Sequence, residues 1–205
     1  MPLVSGLVLA GGTSTRLGAD KRTVRLGGMT LLDRAVHLLS AVSDDVMVAA
    51  RDSTGVSRGV RVIADPLPDR GPMAGILAGL GRARRERLLV IPVDMPMLTP
   101  SFLRFLVEAD PGAAVTVPAW QGGLEPLVAV YHISCAAALA DLMTAGATAV
   151  HAFINTTGLR VSRVEEPEIR RHADPARLFL NINTPGDLTL AEGLLAGPPP
   201  LGAPP

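Results

Sequence analysis

The chain has 205 residues, 48% of them hydrophobic, and its 19 basic and 19 acidic side chains cancel to a net charge of zero. A chain of this length can bury one sizeable core, and the lack of a basic excess argues against nucleic acid or an anionic membrane as a partner. The single cysteine, Cys135, cannot form an internal disulfide, and no apolar run reaches the ~18 residues that a membrane span needs. These features predict a cytoplasmic protein.

Short apolar runs alternate with amphipathic segments along the chain. The periodicity predicts strands at residues 3–10, 45–50, 61–65, 88–93, 114–118 and 124–131. It predicts helices at residues 31–40, 75–85, 100–109, 135–145 and 149–157. This alternation is typical of a three-layer α/β fold, with a mostly parallel central sheet, helices on both faces and ligands at the carboxyl ends of the strands. We expect residues 1–196 to form a single domain and the Pro/Gly-rich residues 197–205 to form a flexible, extended tail.

The first strand leads into the segment LAGGTSTRLGADK, residues 9–21. Gly11 and Gly12 lack a Cβ and so let a ligand approach the backbone closely, while Arg16 and Lys21 bring two cations to the same loop. Backbone N–H groups and cations in one place are typical of a phosphate site. The segment lacks the spacing of a P-loop and of the dinucleotide-binding fingerprint. The alternative reading is a Gly-rich turn with solvated charges.

Asp94 follows a strongly apolar predicted strand in the segment VIPVDMP, residues 90–96. A strand-end carboxylate beside a triphosphate suits Mg²⁺, which prefers one or two carboxylates together with phosphate oxygens and water. The alternative is that Asp94 caps the helix that begins near Pro100, but Thr99 fits that cap better. We therefore predict a Mg²⁺ site at Asp94.

Five segments together resemble the molybdenum cofactor guanylyltransferases of the sugar-nucleotidyltransferase superfamily, and they span nearly the whole chain. They are LAGGTSTRLGADK at 9–21, DP at 65–66 leading to GPMAG at 71–75, VDMP at 93–96, GGLEP at 122–126 and NINTP at 181–185. The resemblance implies a Rossmann-like nucleotidyltransferase fold. It also implies transfer of GMP from GTP to the terminal phosphate of molybdopterin, with release of pyrophosphate and formation of the molybdopterin guanine dinucleotide cofactor.

Within that resemblance, three residues carry the transfer: Arg16 at the leaving pyrophosphate, Lys21 near the α-phosphate and Asp94 at Mg²⁺. The nucleotide-binding residues that the resemblance implies are Leu9, Ala10, Gly11, Gly12, Lys21, Asp65 and Asp94. Transfer of this kind depends mostly on positioning and charge neutralisation.

For the acceptor, the resemblance implies Gly75, Glu125, Asn181 and Asn183. Asn181 and Asn183 can face one cleft if they lie two apart on a strand, and Asn183 is open to a second role as a metal ligand. The residues that follow predict a helix start, with Thr184 as N-cap and Pro185 at the first helical position. Trp120 either stacks on the planar pterin or forms a partly buried rim.

The donor base is the least determined part of the site. Where the family has an Asn after the second predicted strand, residues 48–51 read VAAR. Either Arg51 helps to read guanine or the donor is CTP. Two further alternatives are a related nucleotidyltransferase with another phosphorylated acceptor and a nucleotide-binding domain without activity. The resemblance implies GTP and a molybdopterin-type acceptor as partners, and it allows transient contacts with proteins that deliver or accept the cofactor.

Overall fold

A central sheet of eight strands runs through the computed structural model, which describes residues 4–11, 17–64 and 71–196. A separate two-stranded hairpin follows the first strand. The strands are β1 (Ser5–Leu9), β2 (Arg25–Leu26), β3 (Met29–Thr30), β4 (Val46–Ala50), β5 (Arg61–Ala64), β6 (Arg87–Pro92), β7 (Val115–Trp120), β8 (Gly123–Leu124), β9 (Ala129–His132) and β10 (Val161–Glu165). The predicted tail, residues 197–205, lies outside the described residues.

The sheet order is β10-β7-β9-β6-β1-β4-β5, with β8 paired to β7. The pairs β1/β4, β1/β6, β4/β5 and β7/β10 are parallel, and β9 is antiparallel to both of its neighbours. Because β9 is antiparallel to both β6 and β7, strands β6 and β7 run in the same direction, and so do β1 and β10. The carboxyl ends of all these parallel strands therefore meet at one edge, and the mostly parallel sheet predicted from the sequence is confirmed.

Helices cover both faces of this sheet. They are α1 (Leu31–Ser40), α2 (Pro72–Leu80), α3 (Pro100–Ala109), α4 (Cys135–Thr144), α5 (Val150–Thr156), α6 (Glu166–Ile169), α7 (Pro175–Leu178) and α8 (Pro185–Ala196). Val8 packs into the same core as α1 and α3, whereas Leu7 and Leu9 pack into the opposite core with α2, α4 and α5. Successive strand residues point to opposite faces, so β1 is buried on both sides. None of the described helices combines the length and hydropathy that crossing a bilayer requires.

Three predicted elements differ from the structure. The strand predicted at 124–131 is split into β8 and β9, because the chain turns between them and Val128 N donates to Glu125 O at 2.9 Å. The helix predicted at 75–85 is α2, which begins at Pro72 after Gly71 (φ 68°) and ends at Leu80. The asparagines of the NINTP segment lie in irregular chain between α7 and α8 and not on a strand.

Asp45 anchors a polar network at the amino ends of β1, β4 and β5. The Ser5 hydroxyl donates to Asp45 Oδ2 at 2.5 Å, the Arg84 N–H donates to the same oxygen at 3.1 Å, and Arg61 donates to Oδ1. Burial alone would raise the pKa of Asp45, but these hydrogen bonds outweigh it and hold the pKa below its usual value. The network joins strand starts that are far apart in sequence, at the edge opposite the predicted site.

Cys135 is the first residue of α4 and is fully buried. Burial raises the pKa of its thiol to about 11, and Sγ donates a hydrogen bond to Ala114 O at 3.2 Å. A buried thiol of this kind is a packing residue, because the thiolate is the reactive form.

Candidate functional site

The predicted phosphate loop begins at the carboxyl edge of the sheet. Leu9 and Ala10 are buried, and Gly11 is exposed, with no atom of the described residues within 4 Å of where a Cβ would be. Ala10 N donates to Ala49 O at 2.9 Å, which holds the loop start against β4. Three of the predicted site residues, Gly12, Arg16 and Asp65, lie outside the described residues.

Lys21, Asp94 and Asn183 meet in one cluster at this edge. Lys21 Nζ lies 2.6 Å from Asp94 Oδ2 and 2.7 Å from Asn183 Oδ1. The side chains of Lys21 and Asp94 are 19% and 21% exposed, so the ion pair is partly shielded but reachable from solvent. The structure thus brings together two residues predicted for catalysis and one predicted for acceptor or metal binding.

The start of α8 positions Asn183. Ile182 N donates to Asp94 O at 2.8 Å, which ties the irregular NINTP segment to the turn after β6. Asp187 Oδ2 accepts from Asn183 N at 2.9 Å and from Thr184 N, and the hydrogen bond from Asn183 is the main cause that lowers the pKa of Asp187. Asp187 N donates to Thr184 Oγ1 at 3.2 Å, so the predicted capping of this helix is confirmed.

Asn181 is placed differently from Asn183. Its Nδ2 donates to Phe179 O at a long 3.5 Å, whereas the Asn183 side chain reaches Lys21. The prediction that both amides face one cleft because they alternate on a strand is therefore wrong in its structural basis, since the period of two holds only for extended strands.

Two hard oxygen donors surround the Lys21 ammonium, one from Asp94 and one from Asn183. Carboxylate and amide oxygens are ligands that suit Mg²⁺, and the ammonium already shows that a cation fits between them. In the part of the chain that the structure describes, no group of three or more His, Cys, Asp or Glu side chains could hold a metal ion. A divalent ion at Asp94 would therefore take further ligands from water and from a bound triphosphate.

Gly75 lies inside α2 and is buried against the sheet. A Cβ built on Gly75 would come within 2.8 Å of Leu9 Cδ2, and one on Gly79 within 2.7 Å of Leu7 Cδ2. These two glycines let α2 approach β1 closely. Helix packing against the sheet is thus one reason for a glycine at position 75, and its predicted contact with the acceptor stays a prediction.

Glu125 supports the ring of Trp120. Trp120 Nε1 donates to Glu125 Oε1 at 2.9 Å, and the indole packs against Phe179 with ring centroids 5.7 Å apart. Burial raises the pKa of Glu125, an effect that the Trp120 hydrogen bond partly offsets. Glu125 thus holds one wall of a neighbouring cavity.

That cavity of about 430 Å³ lies beyond the carboxyl ends of β7 and β10. Its lining includes Trp120, Gln121, His151, Asn155, Arg163 and Glu165. Since β7 and β6 run in the same direction, the cavity opens at the same edge of the sheet as Asp94.

We expect Glu125→Gln to be at least as stable as the parent protein at pH 7. The amide still accepts from Trp120 Nε1, and it removes a charge that burial disfavours. The pKa of Glu125 is raised in the folded protein, so the protonated carboxyl group stabilises the parent below its unfolded-state pKa, and this stabilisation is lost as the pH rises through the folded-state pKa. The difference in free energy of unfolding between Glu125→Gln and the parent should therefore shrink at lower pH. Urea unfolding followed by the fluorescence of Trp120, the only tryptophan, measures this. Glu125→Ala, which loses the hydrogen bond, is the control, and a glutamine variant less stable than the parent at pH 7 would contradict the argument.

Sequence reasoning missed Arg22. Its side chain is only 10% exposed and forms ion pairs with Asp20 and Asp52, both at 2.7 Å. Hydrogen bonds from Arg22 are the main cause that lowers the pKa of each carboxyl group. Asp52 lies 30 residues further along the chain, so no local pattern could reveal this contact.

A compositional signal for Lys21 was also present in the sequence. Lys21 is the only lysine among 19 basic residues, the others being arginine. Lysine offers a compact, strongly hydrated charge where arginine offers a planar fork, so the two side chains are not interchangeable at a position that calls for a point charge.

The fold and the site define a nucleotidyltransferase. The family model described as "MobA-like NTP transferase domain" matches residues 6–161. The chain belongs to this MobA-like NTP transferase family.

Similar proteins match almost the whole chain. The molybdenum cofactor guanylyltransferase of Sinorhizobium fredii (strain NBRC 101917 / NGR234) is 34% identical over 196 residues, which cover 91% of this chain and 89% of the relative. Among solved structures, molybdopterin-guanine dinucleotide biosynthesis protein A from Archaeoglobus fulgidus has a TM-score of 0.80 at 26% identity, covering 94% of this chain and 99% of that one.

Another solved structure shares the fold and contains a metal. Rv0371c from Mycobacterium tuberculosis H37Rv, in complex with manganese, has a TM-score of 0.69 at 17% identity and covers 92% of this chain and 97% of that one.

Proposed function

We propose that this protein transfers GMP from GTP to the terminal phosphate of molybdopterin and so forms the molybdopterin guanine dinucleotide cofactor. A phosphate oxygen of the acceptor forms a bond to the α-phosphorus of GTP, the bond from that phosphorus to the bridging oxygen breaks, and pyrophosphate leaves. The observation that carries the proposal is the meeting of Lys21 with Asp94 at the carboxyl edge, in a chain whose full-length relative is named a molybdenum cofactor guanylyltransferase.

The protein's own groups act by positioning and by charge. Lys21, released from Asp94, reaches the α-phosphate and stabilises the negative charge that develops there. The N–H groups of Gly11 and Gly12 and the side chain of Arg16 bind the β- and γ-phosphates. The loop start at Leu9 and Ala10, together with Asp65, contacts the base and ribose. Asp94 and Asn183 would hold Mg²⁺, which when bound neutralises phosphate charge.

The proposed metal site at Asp94 and Asn183 leads to a prediction for the affinity of Mn²⁺ in the absence of nucleotide. The Lys21 ammonium occupies the position between the Asp94 and Asn183 oxygens, so Lys21→Met should strengthen Mn²⁺ binding about fivefold or more by removing a competing cation. Electron paramagnetic resonance of free Mn²⁺ measures the affinity. Arg25→Met removes the same charge from an exposed neighbouring side chain and is the matched control. Equal affinities of the parent protein and Lys21→Met would contradict this placement.

For the base, we propose that Arg51 contributes to guanine selection. Arg51 is exposed and directly follows β4, the strand next to β1 at the nucleotide edge. A guanidinium can donate two hydrogen bonds to the O6 and N7 acceptors of guanine, a pattern that cytosine does not offer. Arg51→Ala should therefore weaken the preference for GTP over CTP.

For the acceptor, we propose the cavity beside Trp120, with Glu125 and Asn181 supporting its wall. The cavity lies at the same edge as Asp94, and the Trp120 indole offers a face on which a planar pterin can stack. Titration of molybdopterin should quench the fluorescence of Trp120, and His151→Ala should weaken that binding without changing the affinity for GTP.

Magnesium-dependent release of pyrophosphate tests the proposed function. Purified protein with molybdenum-bound molybdopterin is given GTP, CTP, ATP or UTP in parallel. Release with GTP alone supports the proposal, and release with CTP would move the protein to cytidylyl transfer. Nucleotide binding without release from any donor would favour another phosphorylated acceptor or a binding function.

We also propose that residues 1–196 are the whole catalytic domain and that the protein is cytoplasmic. The Pro/Gly-rich composition of residues 197–205 supports the first, and the single cysteine supports the second. A chain that ends at residue 196 should keep full activity.

A further inference from the structure

We propose that Arg22 is a positioning residue that holds the catalytic Lys21 and the donor-base loop in one arrangement. The base loop is defined here as residues 51–54. The inference rests on the proposed function, because it assigns Lys21 to the α-phosphate and Arg51 to the base.

Arg22 makes a first set of hydrogen bonds within the loop that carries Lys21. Arg22 Nε lies 3.1 and 3.0 Å from the two Asp20 oxygens, and Nη2 donates to Oδ2 at 2.7 Å. The Arg22 backbone N–H donates to Asp20 Oδ1 at 2.9 Å, and Thr23 N donates to Asp20 O at 2.9 Å. The residues on both sides of Lys21 are therefore fixed to each other, and the Lys21 side chain leaves the turn toward Asp94.

A second set of hydrogen bonds from Arg22 reaches the base loop. Arg22 Nη1 donates to Asp52 Oδ1 at 2.7 Å and to Asp52 O at 3.2 Å. Thr54 N donates to the same carboxylate oxygen at 2.8 Å, so the loop is folded around the contact. Arg51, which we assign to guanine, is the residue next to Asp52.

The chemistry of the contact suits arginine and no other side chain. A planar guanidinium forks onto two carboxylates at once, which an ammonium cannot do with the same geometry. Surface ion pairs contribute little by themselves, but the Arg22 side chain is nearly buried and its hydrogen bonds join two loops of one site. An arginine that fixes Lys21 on one side and Arg51 on the other acts on both chemistry and donor binding.

Kinetic and binding measurements with three variants test the contacts of Arg22 to Asp20 and to Asp52 separately. We expect Arg22→Met to weaken GTP binding and to lower kcat, each by about tenfold, because misplaced groups lose reactivity. Asp52→Asn should mainly weaken GTP binding, and Asp20→Asn should mainly lower kcat. Asp20 and Asp52 are 41% and 56% exposed, so both variants keep solvated side chains and should fold even if Arg22→Met does not. Arg25→Met is the matched control and should change neither constant.

The only lysine of the chain gives a readout that does not depend on turnover. Protein labelled with [¹³Cε]lysine has one side-chain signal, that of Lys21, in the absence of nucleotide and acceptor. We expect this signal to move in Arg22→Met and in Asp20→Asn and to stay in place in Arg25→Met. A lower Tm with an unmoved lysine signal and unchanged GTP affinity and kcat would overturn the proposal and leave Arg22 a purely structural residue. A wrong acceptor would abolish turnover but leave the lysine signal and the GTP affinities as expected here.

Discussion

We expect that replacing Lys21 by methionine lowers kcat by about 10²–10³-fold and leaves the Tm nearly unchanged. The loss corresponds to ~2.7–4 kcal/mol of transition-state stabilisation, the usual effect of removing one group aimed at developing charge. Lys21 is partly exposed and its contacts are polar, so the folded state loses little when the ammonium is removed. Steady-state kinetics with GTP, together with thermal unfolding of the same samples, measure both quantities.

Two further variants separate a catalytic role of Lys21 from the mere loss of one positive charge. Arg25→Met removes an exposed cation from the same part of the chain and should keep normal turnover. Asp94→Asn keeps a hydrogen-bonding oxygen near Lys21 but loses the carboxylate, and should be as impaired as Lys21→Met. Normal turnover in a folded Lys21→Met variant would remove Lys21 from the transfer step.

We expect Asp45→Ala to destabilise the protein by about 3 kcal/mol and to leave the kcat of the folded fraction unchanged. Removing one partner of a buried ion pair costs about 3–5 kcal/mol, and we take the lower end because Arg61 is 35% exposed and regains water. The Ser5 hydroxyl and the Arg84 N–H lose an acceptor as well. Urea unfolding at pH 7 measures the loss. Asp44→Ala is the matched control, because Asp44 is 57% exposed and its pair with Arg85 should contribute about 1 kcal/mol or less.

The contribution of Asp45 also depends on pH, with a defined sign. Its pKa is lowered in the folded protein, so the stabilisation is fully present above the unfolded-state value of about 3.9. It is lost as the pH falls through the lower, folded-state pKa. The stability difference between the parent and Asp45→Ala should therefore be constant from neutral pH down to about 5 and shrink below that. A difference that grows on acidification would contradict this account of the network.

Local signals located the helices whose caps are local. α1 and α3 begin and end where the sequence predicted. Their starts are set locally, because Thr30 and Thr99 each accept from a backbone N–H three residues further along the chain. The predicted helix at 75–85 ran too far: α2 ends at Leu80 with Gly81 as its C-cap, and a distant contact holds the residues beyond it. The N–H groups of Arg84 and Arg85 donate to the Ser5 hydroxyl, about 80 positions earlier in the chain, and not to the helix.

The same distinction applies to the site. Lys21 and Asp94 are 73 residues apart, yet their meeting could be predicted because parallel strands bring their carboxyl ends to one edge. The difference between Asn181 and Asn183 could not, because it follows from a hydrogen bond between Ile182 and the turn after β6. Arg22 could not be found either, since its second partner comes from another loop and only the folded chain brings them together.

Label transfer from [α-³²P]GTP tests the central claim most directly. The full-length protein, Mg²⁺ and molybdenum-bound molybdopterin are incubated with the labelled nucleotide, and the products are separated. We predict that the α-label moves into a guanine-containing dinucleotide of the cofactor, in equal amount to the pyrophosphate released, and that Asp94→Asn lowers the rate of formation of both products by about 10²–10³-fold. Pyrophosphate release with the label in free GMP, or labelling of the cofactor from CTP but not from GTP, would contradict guanylyl transfer to molybdopterin.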